Sequence, residues 1–277
     1  MSIETTTDAE TWNEWCESAR LDDIYYRFRY LEIWEEEEGG RPVGIKYESD
    51  LGRVLYPVLQ VPLDSLEGGE GYVDVRTAYD FGGPYADGED PAGLIEAFRP
   101  AVEELYAEWN AVTEFARLHP LRLPALPADA EFHAENLVVD LTGGYDEVYD
   151  QYKSSFARNI RKAERKRLEV EIADEPSDRQ RDAFAGLYLE TMEKVDANPF
   201  YFFDRETLDA LMSLPEMATV TTWKNETIVA SAIILRSAND LFYFLGASDR
   251  QYLDLRPNNI LFDRIIRHGT DSAYDTL

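Results

Sequence analysis

Between Ala218 and Ser248 three strand-like runs follow one another, ATVTTW, TIVASAIILRS and DLFYFLGAS, and the helical RPNNILFDRIIRHG comes soon after them. Strands in series bury their apolar faces only when a further layer covers them, so this order constrains the second half to a sheet with helices upon it. The same half opens with the short helical YDEVYDQY, a basic helix, the strand LEVEIA, an amphipathic helix over about 176–195 and a further helix over 204–214. The first half alternates in the same way. A helical stretch over 8–37 is followed by a hairpin of Gly44–Ser49 and Arg53–Val61 about the turn SDLG. A glycine-containing loop within 72–85, a helix over 91–110 and the strand-like TEFARLHPL come next. LRLPALPADAEF reads as a Pro-punctuated surface connection, and NLVVDL as a strand running to Gly143-Gly144. The pattern predicts an α/β (α+β) protein of two domains with mixed sheets, 1–143 and 144–277.

One stretch departs from the rest. Asp and Glu number 55 against 27 Lys and Arg, a formal charge of -28. Yet Lys153, Arg158, Arg161, Lys162, Arg165, Lys166 and Arg167 fall within fifteen residues, with Glu164 the only acid among them. At 100° per residue, Arg158, Arg161, Lys162, Arg165 and Lys166 share one broad face, while Phe156, Ile160 and Ala163 lie nearer the other. Grouped cations of this kind suit phosphate or carboxylate. The alternative is a solvated face paired with acids of its own domain. So acidic a chain repels nucleic acid and anionic membranes at long range, so an acidic partner must be held by a local patch.

The balance of six Lys against 21 Arg with abundant carboxylates matches a high-salt cytoplasm, where the Debye length shrinks to ~3 Å and charges act at contact. A single cysteine, Cys16, excludes an intrachain disulfide and reads as a packed small hydrophobe. The N-terminus lacks the basic and apolar regions of a signal peptide, and no segment approaches ~18 consecutive apolar residues. A cytoplasmic protein is expected. GxGxxG, Walker, CxxC, HExxH and GxSxG motifs are all missing. His119, His133 and His268 are scattered, so no metal is expected. In DFGGPYA the adjacent glycines let a ligand approach the main chain. LRPNN precedes a helix whose free N–H groups favour anions, with Asn258 or Asn259 as its expected N-cap.

Taken in order, DIYYRFRYLEIWEEEEGGRPVGIKYESDLGRVLYPVLQVPL, AYDFGGPYA, ARLHPL, YKSSFARNIRKAERKRLEVEI, LYLETMEKVDANPFYFF and VASAIILRSANDLFYFLGASDRQYLDLRPNNILFDRIIRHG resemble the Fem-type branch of the GNAT acyltransferase superfamily. The resemblance extends over most of residues 22–277. It implies two GNAT-like domains and transfer of an acyl or aminoacyl group to an amine of a cell-envelope or polysaccharide precursor. No cofactor is bound permanently; the co-substrate is acyl-CoA or aminoacyl-tRNA. The implied partners are a phosphate- or carboxylate-bearing amine acceptor and, for the second donor, tRNA. Lys153, Arg158, Arg161 and Lys162 would hold phosphates. Gly82, Gly83, Pro84 and Tyr85 would line the cleft between domains, and Tyr243, Ser248, Asn258 and Asn259 the acyl-donor side. The resemblance assigns no catalytic base, and Glu190 and Asp249 are the candidates. LDLRPNN offers no glycine for a pyrophosphate loop, which counts against coenzyme A. Family members continue past this point with another strand, so a second domain truncated at its C-terminus is also an expectation. The rival readings are an acetyl-CoA-dependent sugar or small-molecule N-acetyltransferase, and a non-catalytic RNA- or polyphosphate-binding module.

Overall fold

A glycine sets how the first sheet is covered. The computed structural model describes residues 1–122 and 130–277, so the center of LRLPALPADAEF lies outside the described residues. In chain order the elements are β1 (Ser2–Thr6), α1 (Ala9–Ser18), α2 (Phe28–Glu38), β2 (Arg41–Ser49), β3 (Gly52–Pro62), β4 (Val73–Arg76), β5 (Tyr85–Gly88), α3 (Pro91–Glu108) and β6 (Ala111–Phe115). They form a sheet of order β1-β2-β3-β4-β6, with β5 also paired to β3; only β4 and β6 run parallel. Val43, Ile45 and Tyr47 alternate along β2 and meet Leu94, Phe98 and Val102 of α3 on one face. Gly44 points to the opposite face, where any Cβ would run into the Trp12 indole of α1. Trp12 is thereby held flat on the strand, its Nε1 donating to the Tyr26 carbonyl at 2.6 Å.

The expected single helix over 8–37 is two. Asp8 caps α1 by accepting from Thr11 N, and the chain then breaks at Arg20, whose φ is +52°. A 3-10 turn over Ile24–Tyr26 follows, capped by Asp23. β1 was not expected, because SIETT is polar at an edge and carries little strand signal.

The second unit contains α4 (Tyr145–Asp150), α5 (Ser154–Arg165), β7 (Leu168–Ala173), α6 (Asp178–Lys194), α7 (Arg205–Leu211), β8 (Met217–Lys224), β9 (Thr227–Ser237), β10 (Asp240–Ser248) and α8 (Pro257–Asp271). Its sheet is antiparallel throughout, in the order β10-β9-β8-β7. Ala218, Val220, Ala230, Ala232 and Ile234 turn to one face and pack on Leu261 and Ile265 of α8. Thr221 turns to the other, where Gln180 of α6 reaches it at 3.4 Å. A capping box of Ser177 and Gln180 starts α6.

The two compact units are Met1–Asn136 and Leu137–Leu277. The division thus falls ahead of Gly143-Gly144, because Val139 and Leu141 bind the chain's last residues: Val139 N donates to Leu277 O at 2.7 Å and Leu141 N to Asp275 O at 2.9 Å. Asp140 makes only an isolated bridge to Thr276, so the strand expected in NLVVDL is reduced to that pairing. Thr276 also bridges Asp240 in parallel, so the residues after α8 extend the sheet edge at β10.

Candidate active site and basic helix

In α5 the apolar residues that face inward are Ala157, Ile160 and Ala163, spaced by three. Ala163 packs with Leu168, Val229 and Ile260, which seats the helix's C-terminal end on the first turn of α8. Lys153, Arg158, Arg161, Arg165, Lys166 and Arg167 are left exposed and Lys162 half-buried. None of the seven has a carboxylate within 4 Å among the described residues. Glu164 is engaged elsewhere, by Arg264 at 2.9 Å. The charge face is therefore not consumed by the domain's own acids.

β10 carries a bulge between Tyr243 and Leu245. Beyond Leu241, no strand pairs with its outer edge among the described residues. Tyr243, 37% exposed, stacks on Phe262 of α8 at 4.3 Å and lies across Gly246, where a Cβ would collide with the phenol. Burial pushes this phenol up to about 12, so at neutral pH it is a hydrogen-bond donor. Asn258 Nδ2 donates to Ser248 Oγ at 3.2 Å, joining the end of β10 to the first turn of α8.

The N-cap of α8 is neither Asn258 nor Asn259 but Arg256, in left-handed conformation with no side-chain cap. Pro257 occupies the first turn and has no N–H to lose, which displaces the asparagines into the helix. The helix end is thus open to an anion. Ser248 also lines a polar cleft of about 320 Å³ with Glu190, Thr191, Glu193, Lys194 and Arg250. Glu190 is therefore beside the end of β10. Asp249 is committed instead to capping the following 3-10 helix, accepting from Gln251 N at 2.8 Å. Arg250, Arg256 and Lys194 were not singled out from sequence; the first two flank the QYLDL run, Arg256 within LRPNN itself, which is the signal that could have found them.

In the first unit, Gly82 N donates to Arg117 O and accepts through its carbonyl from His119 N, each at 2.8 Å. A Cβ on Gly82 would lie 2.8 Å from Thr77 Cγ2, and Gly83 has φ +98° beside Leu118. Gly82 is fitted against the Thr77 side chain, and Gly83 is demanded by its positive φ. Tyr85 begins β5, its half-buried ring edge-on to Tyr26 at 6.0 Å. Nearby, His119 is 1% exposed with Nε2 3.3 Å from Asp23 and Nδ1 accepting from Leu121 N. Burial pushes the Asp23 carboxyl up, but the His119 hydrogen bond and the charges of His119 and Arg122 outweigh it and hold the carboxyl low. No group of three or more His, Cys, Asp or Glu side chains gathers for a metal among the described residues. No helix there is long and apolar enough to cross a membrane.

The described residues thus form two helix-flanked sheets, one carrying an open-edged strand beside a free helix end. Residues 150–277 match the family described as acetyltransferase (GNAT) domain. The crystal structure of FemX superposes with a TM-score of 0.70 at 10% identity, covering 100% of this chain and 87% of that one. The C-terminal domain of a putative lysylphosphatidylglycerol synthetase from Agrobacterium fabrum gives 0.56 at 15% identity, covering 97% and 78%. A conserved protein of unknown function from Bacteroides thetaiotaomicron gives 0.51 at 11% identity, covering 97% and 88%. No functionally curated protein matches the sequence significantly. The structural likenesses establish the fold. With the family match over residues 150–277, they support a GNAT-like acyltransferase of Fem-type fold.

Proposed function

We propose that the protein moves an acyl or aminoacyl group from an activated ester or thioester to the amine of a phosphate- or carboxylate-bearing acceptor, in making a cell-envelope or polysaccharide precursor. The observation that carries this reading is the convergence of three features on Ser248: the end of the open-edged β10, the uncapped start of α8, and the polar cleft holding Glu190. A donor lying along β10 would direct its carbonyl oxygen at main-chain N–H groups, which stabilize the oxyanion as it forms. Tyr243 adds a phenolic donor on the same side. Glu190 takes the proton of the attacking amine, directly or through a water. The C–N bond forms, the ester C–O or thioester C–S bond breaks, and the departing oxygen or sulfur is reprotonated. Phosphates of donor or acceptor are held by Lys153, Arg158, Arg161 and Lys162, with Arg250, Arg256 and the N–H group of Asn258 about the start of α8.

In the same reading the first unit, expected as 1–143, is a second GNAT-like domain, supported by its mixed sheet with helices on both faces. Its Gly82, Gly83 and Tyr85 contribute to acceptor binding. Acyl-CoA and aminoacyl-tRNA are cytoplasmic, so the reaction is assigned to that compartment. Labeled acetyl-CoA and labeled aminoacyl-tRNA, offered in parallel with amino sugars and amino-acid amides, test the reading. One donor should be consumed, and Glu190→Gln should slow its consumption by roughly 10²-fold or more. Retention of polyanion binding with neither donor consumed would favor the non-catalytic alternative.

A further inference from the structure

A carboxylate sits in the middle of the buried face of α8, where Leu261, Ile265 and Ile266 are its apolar neighbors. Asp263 is 0% exposed. Burying an unpaired charge is strongly unfavorable, and replacing a paired one by an apolar residue is often neutral or stabilizing, so its presence calls for a role beyond stability. Its partners come from separate elements. Tyr145 Oη of α4 donates at 2.6 Å, Tyr152 Oη donates at 3.3 Å, and the adjacent Arg264 guanidinium binds the second oxygen. Arg264 goes on to Glu164 of the basic helix at 2.9 Å.

The tyrosines continue the connection. Tyr149 lies in contact with the rings of both Tyr145 and Tyr152, at 5.8 and 5.2 Å, and its hydroxyl accepts from Arg161 Nη1 at 3.2 Å. Tyr152 also meets Phe156, in the first turn of α5, at 4.8 Å edge-on. Arg267 lies over the Tyr145 ring at 4.0 Å and closes the cluster from the solvent side. Among the cations of the basic helix, Arg161 is thus held by a side-chain partner at a defined position.

We infer that Asp263 and Tyr149 are positioning residues that orient Arg161 and set the pose of the basic helix for an incoming phosphate. The inference rests on the anion-binding role proposed above for that helix. A held guanidinium loses less freedom on binding than a mobile one, so the expected gain is in affinity.

Inorganic tripolyphosphate serves as the probe, titrated into the full chain at several salt concentrations. Tyr149→Phe leaves every charge in place, so it should weaken binding about three- to tenfold without changing the salt dependence. Asp263→Asn removes a negative charge near the helix, so electrostatics alone predicts tighter binding; loss of positioning predicts weaker binding. Weaker binding in both variants, at unchanged helix content by circular dichroism, supports the inference. Wild-type binding with equal or tighter binding in the variants overturns it while leaving the anion reading intact. Absence of binding by wild type overturns the anion reading and this inference with it. Where Asp263→Asn fails to fold, Tyr149→Phe decides.

Discussion

Replacing Glu38 by Gln should stabilize the first unit at alkaline pH and leave it nearly unchanged in acid. Glu38 is the last residue of α2, where the helix dipole disfavors a negative charge, and its side chain is 5% exposed. Its Oε1 is buried without a hydrogen-bond partner, and Oε2 is 3.6 Å from Arg76. Burial raises the carboxyl from 4.5 to about 7, with Arg76 opposing the rise. A raised carboxyl favors the protonated form in the folded state. That contribution is complete below the unfolded value of 4.5 and is lost as pH climbs through 7. The interval of 2.5 units, at 1.36 kcal/mol each, sets the loss at about 3 kcal/mol. Gln cannot ionize, and Arg76 keeps Asp74 at 3.7 Å. Urea unfolding of both proteins from about pH 4 to pH 8, followed by tryptophan fluorescence, measures the difference. Four of the five tryptophans, Trp12, Trp15, Trp34 and Trp109, are in the first unit, so the signal reports largely on it. Other carboxylates titrate in both proteins and cancel in the difference. A variant-minus-wild-type stability that is flat with pH, or that falls as pH rises, would refute the reasoning.

Three further outcomes are expected. Arg158→Glu with Arg161→Glu should abolish tripolyphosphate binding while changing thermal stability little, since both side chains are exposed and pair with no carboxylate; wild-type affinity in a folded double variant would contradict the role of the helix. Gly246→Ala should force the Tyr243 ring off its place against Phe262 and lower turnover about tenfold or more, and unchanged turnover would remove Tyr243 from the donor side. Gly83→Ala, at φ +98°, should cost roughly 1–3 kcal/mol of stability by chemical denaturation, a loss absent if the loop can relax.

Much of the second unit was legible because its strands are long apolar runs and its basic helix stands out against the acidic background. TIVASAIILRS became β9 over the same residues, and LEVEIA became β7. The hairpin about SDLG was also legible, since alternation and turn chemistry agree there. What escaped depended on partners far away in sequence. β1 is a polar edge whose pairing with β2 no local pattern announces. The true cap of α8 was hidden because arginine rarely adopts φ +67° and carries no capping signal. Asp263 reads in sequence as one acid among 55; only the return of Tyr145 and Tyr152 across more than a hundred residues makes it a center. The basic helix was found, but that it packs on the start of α8, beside Arg256, is set by contacts of Ala163 with Ile260 that no local pattern announces.

The most direct test of the central claim is the mass of the acceptor after incubation with each donor. Acyl transfer predicts an amide product heavier by one acyl or aminoacyl group, formed in step with loss of donor and at a rate reduced by Glu190→Gln. An acceptor of unchanged mass, with acetyl-CoA and aminoacyl-tRNA both lost only to hydrolysis or not at all, would contradict the proposed reaction.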